Sequence, residues 1–478
     1  MKEMFRYLPQ AERKKILLIT DDIRFPSGVG GVGKEICIHT AHHFNWVNLG
    51  GAVNHPEQGK RFDLSDETNK LTGLNDSYVN IIGNTGYGSP DQIRTLLNTE
   101  KFDAIFLITD PRYFMWLFQI ENEIRTKIPI IYLNIWDDYP APFYNKSFYK
   151  SCDALLAISK QTKLINELVL EEDVKNKVTK YIPHGINSDI FYPIDKNDTE
   201  LNKFKKSIFG NKEYDFVLFF NSRNIRRKSI PDTLCAFRLF LDGLSKEQAN
   251  RCAFILHTEL VTEAGTDLPV VKELLFGDEF ENVYFSHDKV SHDVLNKLYN
   301  IADAQILLSS AEGWGLSLTE ALLTGTPIIA NVTGGMQDQM RFVDENGEWF
   351  VPSPEIPSNH TGKYKECGEW AFPVFPSNRS IVGSPVTPYI WDDRCNAEDA
   401  AQRIREVYDL TPEERARRGE VGRDWALGNE AGFTSKIMGN RVIEAVDTLF
   451  NNWQPREKYE LIKIDKKKPN YINHSIVY

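Results

Sequence analysis

Two acidic residues, Glu312 and Glu320, are separated by seven positions in the stretch AEGWGLSLTEALLTGTPIIAN (311–331), with Gly313 and Gly315 between them. Glycines let a backbone come close to a ligand, and amides at the start of a helix favour an anion such as phosphate. Carboxylates repel a bare phosphate. The combination therefore suits a ligand that offers hydroxyls to the carboxylates and phosphate to the amides, with a cation close by to balance the charge. A sugar nucleotide carries both groups. The plainer alternative is that Glu320 closes a capping box with Ser317 and that Glu312 is a solvated loop acid. The required cation is offered by FFNSRNIRRKS (219–229), where Arg223 and Lys228 bracket Arg226 and Arg227. A bidentate Arg with a point-charge Lys would neutralise a diphosphate; a solvated basic turn or a nucleic-acid contact is the competing reading.

Three further stretches carry chemistry. TDDIRFPSGVGGVGKEICIH (20–39) sets Gly28, Gly30 and Gly33 in the G-x-G-x-x-G spacing of a dinucleotide loop. The next expected strand ends NWVNLGG, without the acid that would hold a ribose diol, so the NAD reading is weakened. LNIWDDYPAPFY (133–144) puts Asp137 and Asp138 after an apolar run, and one of the two is expected to face the cleft and orient or deprotonate an acceptor hydroxyl. A helix cap or turn acid explains them equally well. His184, in the turn of YIPHGINSDIFYP (181–193), is a cleft candidate near the expected hinge, though turn geometry alone accounts for its Pro and Gly neighbours.

The elements that must position these residues are legible from periodicity. Short apolar runs such as ILLIT (16–20), AIFLIT (104–109), PIIYLNIW (129–136), DFVLFFN (215–221), AQILLSS (304–310), PIIAN (327–331) and EWFVP (348–352) alternate with helical spacers. This predicts an α/β protein with two Rossmann-like parallel-sheet domains and a ligand cleft between them. The polar stretch 192–214 is the expected hinge. The domains are predicted as 1–195 and 196–432, with a helix and tail from about 433 to 478 packing back on the first. Residues 341–395, rich in Pro, Ser and aromatics, read as an irregular insertion, either an acceptor lid or a surface decoration.

The net charge of -11 argues against general nucleic-acid binding, and no apolar run approaches the roughly 18 residues of a membrane span. Six scattered cysteines show no C-x-x-C pairing, and MKEMFRYLPQAERKK has no apolar core of a secretion signal; both point to reduced thiols and the cytoplasm.

Taken together, Glu312 and Glu320 with their glycines, the Arg223 and Lys228 pair, IPHGINSDIFYP and the glycine loop at 28–33 resemble the GT-B glycosyltransferases of family 4 over roughly residues 14–450. The resemblance implies a retaining, metal-independent transferase with no cofactor beyond its donor substrate, a nucleotide-diphosphate sugar. It implies that Arg223 and Lys228 hold the diphosphate and that the loop Gly313, Trp314, Gly315 and Leu316 presents amides to phosphate and sugar. It further implies that Glu312 binds donor-sugar hydroxyls, that Glu320 binds the ribose, and that Gly30 and Gly31 close on the donor. Family members commonly carry a histidine where this chain has Trp136, Asp137 and Asp138, which leaves open what assists there. The acceptor is open as well: a glycan or lipid by family, with the tail KIDKKKP (463–469) as a candidate peripheral membrane contact, or a modified base in DNA met by Arg226, Arg227 and the insertion. An NDP-sugar epimerase, a phosphorylase and a non-catalytic sugar-nucleotide binder are the rival readings. Oligomeric state is not legible.

Overall fold

The computed structural model describes residues 7–278, 280–356 and 358–457. The first apolar runs form an eight-stranded sheet built from β1 (Lys14–Asp21), β2 (Phe44–Ala52), β3 (Arg61–Asp63), β4 (Val79–Thr85), β5 (Ala104–Ile108), β6 (Ile130–Asn134), β7 (Ala154–Ala157) and β8 (Val178–Tyr181). Its order is β3-β4-β2-β1-β5-β6-β7-β8, and every pairing is parallel except β3 with β4. Continuous runs such as Ile16 to Ile19 are wholly buried because helices cover both faces of the sheet.

The second sheet comprises β9 (Phe216–Asn221), β10 (Cys252–His257), β11 (Val283–Ser286), β12 (Ala304–Leu307), β13 (Ile328–Asn331) and β14 (Ala371–Val374), in the order β11-β10-β9-β12-β13-β14. Ligands of such doubly wound sheets bind at the carboxyl edge, where the strand order reverses. In the second sheet that point lies between β9 and β12, so the basic loop after β9 and the acidic glycine loop after β12 are brought side by side. In the first sheet it lies between β1 and β5, beside the glycine loop at 28–33.

The helix Ser435–Asn452 lies against the first domain. Gly439 makes this approach feasible, since a Cβ there would stand 3.1 Å from the His39 carbonyl oxygen, and His43 Nε2 pairs with Asp447 Oδ2 at 2.9 Å. The tail 463–469, raised above as a membrane contact, lies outside the described residues.

The expectation of an irregular insertion needs correction. EWFVP forms no strand: Trp349 makes only an isolated bridge to Val343. The sixth strand is instead β14, inside the stretch read as structureless. Pro373 hid it, and Pro is tolerated there because β14 is the sheet edge. Beyond it, β15 (Asn378–Ser384) and β16 (Thr387–Arg394) form an antiparallel hairpin whose strand register pairs Ile381 with Trp391 and Val382 with Ile390. Among the described residues no helix is long and apolar enough to cross a membrane.

Candidate functional site

Glu312 is buried where the two domains meet, and its Oε2 accepts hydrogen bonds from two cations. Lys228 Nζ is in direct contact, and Arg227 Nη1 lies 2.9 Å away, while also donating to the Ala311 carbonyl at 2.7 Å. Burial opposes the charged form of Glu312, yet Arg227 and Lys228 outweigh it and hold the carboxyl down at about 2. The basic pair facing Glu312 is thus Arg227 and Lys228, not Arg223 and Lys228. Arg223 is 77% exposed and pairs with Glu259 at 3.6 Å. The reason is local: residues Arg226–Lys228 form a single 3-10 turn, which folds Arg227 and Lys228 inward and leaves Arg223 outside it.

The helix after the acidic loop runs Leu316–Leu323 and begins at Gly315, whose φ of +89° is one that only glycine adopts at low cost. The capping box read from Ser317 and Glu320 does not form. Glu320 turns instead toward the sheet and accepts hydrogen bonds from Tyr299 Oη at 2.5 Å and Asn221 Nδ2 at 3.1 Å. Desolvation raises its carboxyl to about 7 in spite of those two donors. Asn221 lies where the DFVLFFN run meets the basic stretch and Tyr299 lies in no motif; only the fold makes the two neighbours of Glu320.

The glycines around Glu312 are contact points between domains. A Cβ on Gly313 would stand 2.7 Å from the Ile135 carbonyl oxygen, and one on Gly334 would lie 2.9 Å from the Asp137 carbonyl oxygen. Gly335 N donates to the Glu312 carbonyl at 2.9 Å. Gly334 and Gly335, set off from the PIIAN strand by two residues, are a glycine-pair signal in the sequence that the motifs above do not include. Across the cleft the helix Gly28–Thr40 is capped by Ser27, whose Oγ accepts from Gly30 N at 2.9 Å. Gly28 faces Leu316, Gly30 is packed against Ser27 and Asp22, and Gly31 faces open space. Gly28 is the exposed glycine of the three and the one that meets the second domain, while half-buried Gly31, within the helix, has room for a Cβ.

Trp314 is a core residue. Its Nε1 donates to Thr319 Oγ1 at 2.9 Å and its ring meets Phe433 edge-on, so only its backbone lies in the loop. Asp137 and Asp138 diverge, as neighbours on an extended chain must. Asp137 faces Arg227, with Oδ2 3.8 Å from Nε, and lines a cavity of about 340 Å³. Asp138 is fully buried and accepts from Gln161 Nε2 at 2.7 Å, with its other oxygen 3.0 Å from Thr333 Oγ1. The same hydroxyl is 2.9 Å from Asp393 Oδ2. The two acids thus share a single hydroxyl hydrogen between them. Burial, then the nearby Asp393, push Asp138 well above the ordinary carboxylate range.

His184 is buried with its Nδ1 unpartnered among the described residues, and burial lowers its pKa to about 4. A neutral ring is the result. It borders the crossing point where Ile186 bridges Thr434, and a Cβ on Gly185 would stand 2.3 Å from the Thr434 carbonyl oxygen. A buried cluster not anticipated from sequence follows β1: Asp22 accepts from Arg24 Nη2 at 2.7 Å, and its Oδ2 lies 3.0 Å from His55 Nε2. A larger cavity of about 680 Å³, lined by Lys196, Asp215, Asp303 and Arg415, sits at the amino end of the second sheet, away from the carboxyl edge. No group of three or more His, Cys, Asp or Glu among the described residues could hold a metal ion.

Residues 272–356 match the family described as Glycosyl transferases group 1. An uncharacterized glycosyltransferase of Methanocaldococcus jannaschii is 26% identical over 250 residues, 52% of this chain and 58% of the relative. The alpha-monoglucosyldiacylglycerol synthase of Acholeplasma laidlawii is 26% identical over 215 residues, 44% of this chain and 49% of the relative. The chain spans about half the length of these curated relatives. Among solved structures, sucrose-phosphate synthase of Thermosynechococcus elongatus aligns with a TM-score of 0.64 at 14% identity, covering 92% of this chain and 100% of the other. Anabaena HepE in complex with UDP and glucose aligns with a TM-score of 0.62 at 13% identity, covering 91% and 100%. At such identities the likeness is one of fold.

Proposed function

We propose that this chain, whose two facing Rossmann-like domains form the GT-B fold and whose second domain carries a group 1 glycosyl transferase segment, moves a sugar from a nucleotide-diphosphate sugar to an acceptor hydroxyl with retention at the anomeric carbon. The observation that carries this reading is the buried contact of Glu312 with Arg227 and Lys228 at the carboxyl edge of the second sheet, opposite the glycine loop of the first. At this edge Arg227 and Lys228 share Glu312, and the Asp137 carboxylate stands 3.8 Å from Arg227. A diphosphate bound there competes with Glu312 for the two cations and frees Glu312 to accept hydrogen bonds from donor-sugar hydroxyls.

In this mechanism the bond from the anomeric carbon to the phosphate oxygen breaks as the acceptor oxygen bonds to the same face, and the acceptor proton passes to the departing phosphate oxygen. Arg227 and Lys228 stabilise the leaving charge in a site that closure keeps dry, the role a divalent cation would otherwise fill. Arg223 stands at the rim of the same positive end. Glu320, between Tyr299 and the nucleotide side of the cleft, accepts from the ribose hydroxyls, and Gly31 with the amides of Gly313 to Leu316 approaches the phosphates. Asp137 is the polar group aimed at the acceptor. The solved Anabaena complex holds UDP and glucose, which supports a nucleotide-sugar donor here. The acidic residues that border the cleft, Asp110, Asp137 and Asp392, weigh against DNA and favour a neutral glycan or glycolipid acceptor.

A thermal-shift panel of UDP, GDP, ADP, CDP and TDP and their sugars tests the reading, because a ligand bound only by the folded state raises the midpoint by mass action. At least one nucleotide diphosphate is expected to stabilise the protein. A response to none of them would defeat the proposal.

A further inference from the structure

The hairpin of β15 and β16 belongs in sequence to the second domain, yet its surface is spent on the first. Its base is fixed to the loops of the second sheet: Asp393 N donates to the Ser310 carbonyl at 2.8 Å, Asn331 Nδ2 donates to the Asp393 carbonyl at 2.7 Å, and Ser310 Oγ contacts Asp392. Its far end reaches across the cleft. Trp391 N donates to the Tyr139 carbonyl at 2.7 Å, Tyr144 Oη donates to the Tyr389 carbonyl at 2.9 Å, and Arg112 contacts the Thr387 hydroxyl. Beneath this bridge lies the 340 Å³ cavity, with Arg227 and Asp137 at its inner end.

We propose that this hairpin is the outer wall of the acceptor site, and that the cavity it encloses takes the neutral, polyhydroxylated ring of a sugar or glycoside. The proposal rests on the transferase reading above and names the acceptor class for that site. Three observations carry it. The volume is at the low end of the range for small-molecule sites, about 300–1,000 Å³, which suits one terminal ring and not a polymer backbone. The walls are mixed: Trp136, Val382 and Ile390 give apolar surface for a ring face, while Asp137 and Asp392 supply hydroxyl acceptors. Each lining carboxylate lies beside a cation already, Asp137 by Arg227, Asp392 by Arg394 and Asp110 by Arg112, so the cavity holds no surplus positive charge for an anionic acceptor. The Asp137 carboxylate makes no hydrogen bond to another described residue and faces Arg227 at 3.8 Å, which leaves its oxygens for an acceptor hydroxyl. Because the wall belongs to the donor-binding domain, acceptor capture and domain closure are one event.

Val382→Trp tests this. Val382 lines the cavity but is 43% exposed, so a larger side chain can be carried without disturbing the core and fills the mouth of the cavity at a distance from Glu312. Saturation-transfer NMR with methyl α- and β-glycosides of glucose, galactose and mannose reads occupancy without turnover, and the nucleotide thermal shift checks that the donor side is intact. The expected result is a glycoside signal in the unaltered protein that falls at least ten-fold in Val382→Trp and in Ile390→Asp, with the nucleotide shift unchanged. A glycoside signal that persists in both variants overturns the proposal, as does a protein that shows the nucleotide shift and binds no glycoside. Loss of the nucleotide shift in the unaltered protein defeats the transferase reading itself, and the acceptor assignment with it.

Discussion

Glu312 accepts a charge-assisted hydrogen bond from Lys228, 84 residues earlier in the chain, and the contact is buried at the carboxyl edge of the second sheet. Desolvating a carboxylate and an ammonium is unfavourable unless their geometry and further hydrogen bonds compensate. Arg227 supplies the further bond. Such a cluster is a poor source of stability and a good preorganised charge, which is why its members make the sharpest tests.

Lys228→Ala removes the closest cation from the cluster. The nucleotide-diphosphate thermal shift is expected to disappear, whereas Arg223→Ala, altering a side chain that points to solvent, is expected to reduce it only in part. A full shift in Lys228→Ala would remove that residue from diphosphate binding.

Glu312→Gln keeps the shape and takes away the charge. Nucleotide binding is expected to persist while transfer falls roughly 10²–10³-fold, the scale of losing one preorganised electrostatic contact. Unaltered turnover in a radiolabelled-donor assay would exclude Glu312 from the reaction.

Glu320 offers a pH test. Its folded-state pKa of about 7 stands above the ordinary 4.5, so the native state holds the proton more tightly than the unfolded chain. The stabilising contribution is complete below 4.5 and is lost as pH rises toward 7. Glu320→Gln cannot lose a proton, so its midpoint relative to the unaltered protein is expected to rise across that window and level off above it. Parallel stability curves for the two proteins would contradict the shift. With ligand present, nucleotide affinity should improve as Glu320 ionises and becomes a pure acceptor for ribose hydroxyls.

Thr333 stands between Asp138 and Asp393, within 3.0 and 2.9 Å of their oxygens. Thr333→Val leaves two buried carboxyls with a shared partner missing, at a cost of about 1–3 kcal/mol in denaturant unfolding. The loss is expected to grow with pH, since ionisation of Asp138, which burial opposes, then faces Asp393 without the hydroxyl between them. A variant as stable as the parent would show that the hydroxyl does not join the two acids.

What the sequence alone determined was whatever local periodicity and spacing control. Continuous apolar runs announced the parallel strands, because a strand covered on both faces admits no polar alternation. The glycines beside Glu312 announced a backbone that needs close approach or a positive φ, as Gly313 and Gly315 show. Tertiary structure decided which groups meet. Glu320 satisfied the spacing of a helix cap but bonds to Tyr299 and Asn221, since Gly315 starts the helix earlier and a buried carboxylate takes the donors that the neighbouring strand and helix present. Arg227, and not Arg223, meets Glu312 because the 3-10 turn Arg226–Lys228 folds Arg227 and Lys228 inward together while Arg223 precedes it, a local fold that composition does not encode. The hairpin Asn378–Arg394 stayed hidden because its Pro, Ser and Gly residues blur a two-residue period, and because its partners, Tyr139 and Arg112, lie far away in the chain, in the other domain.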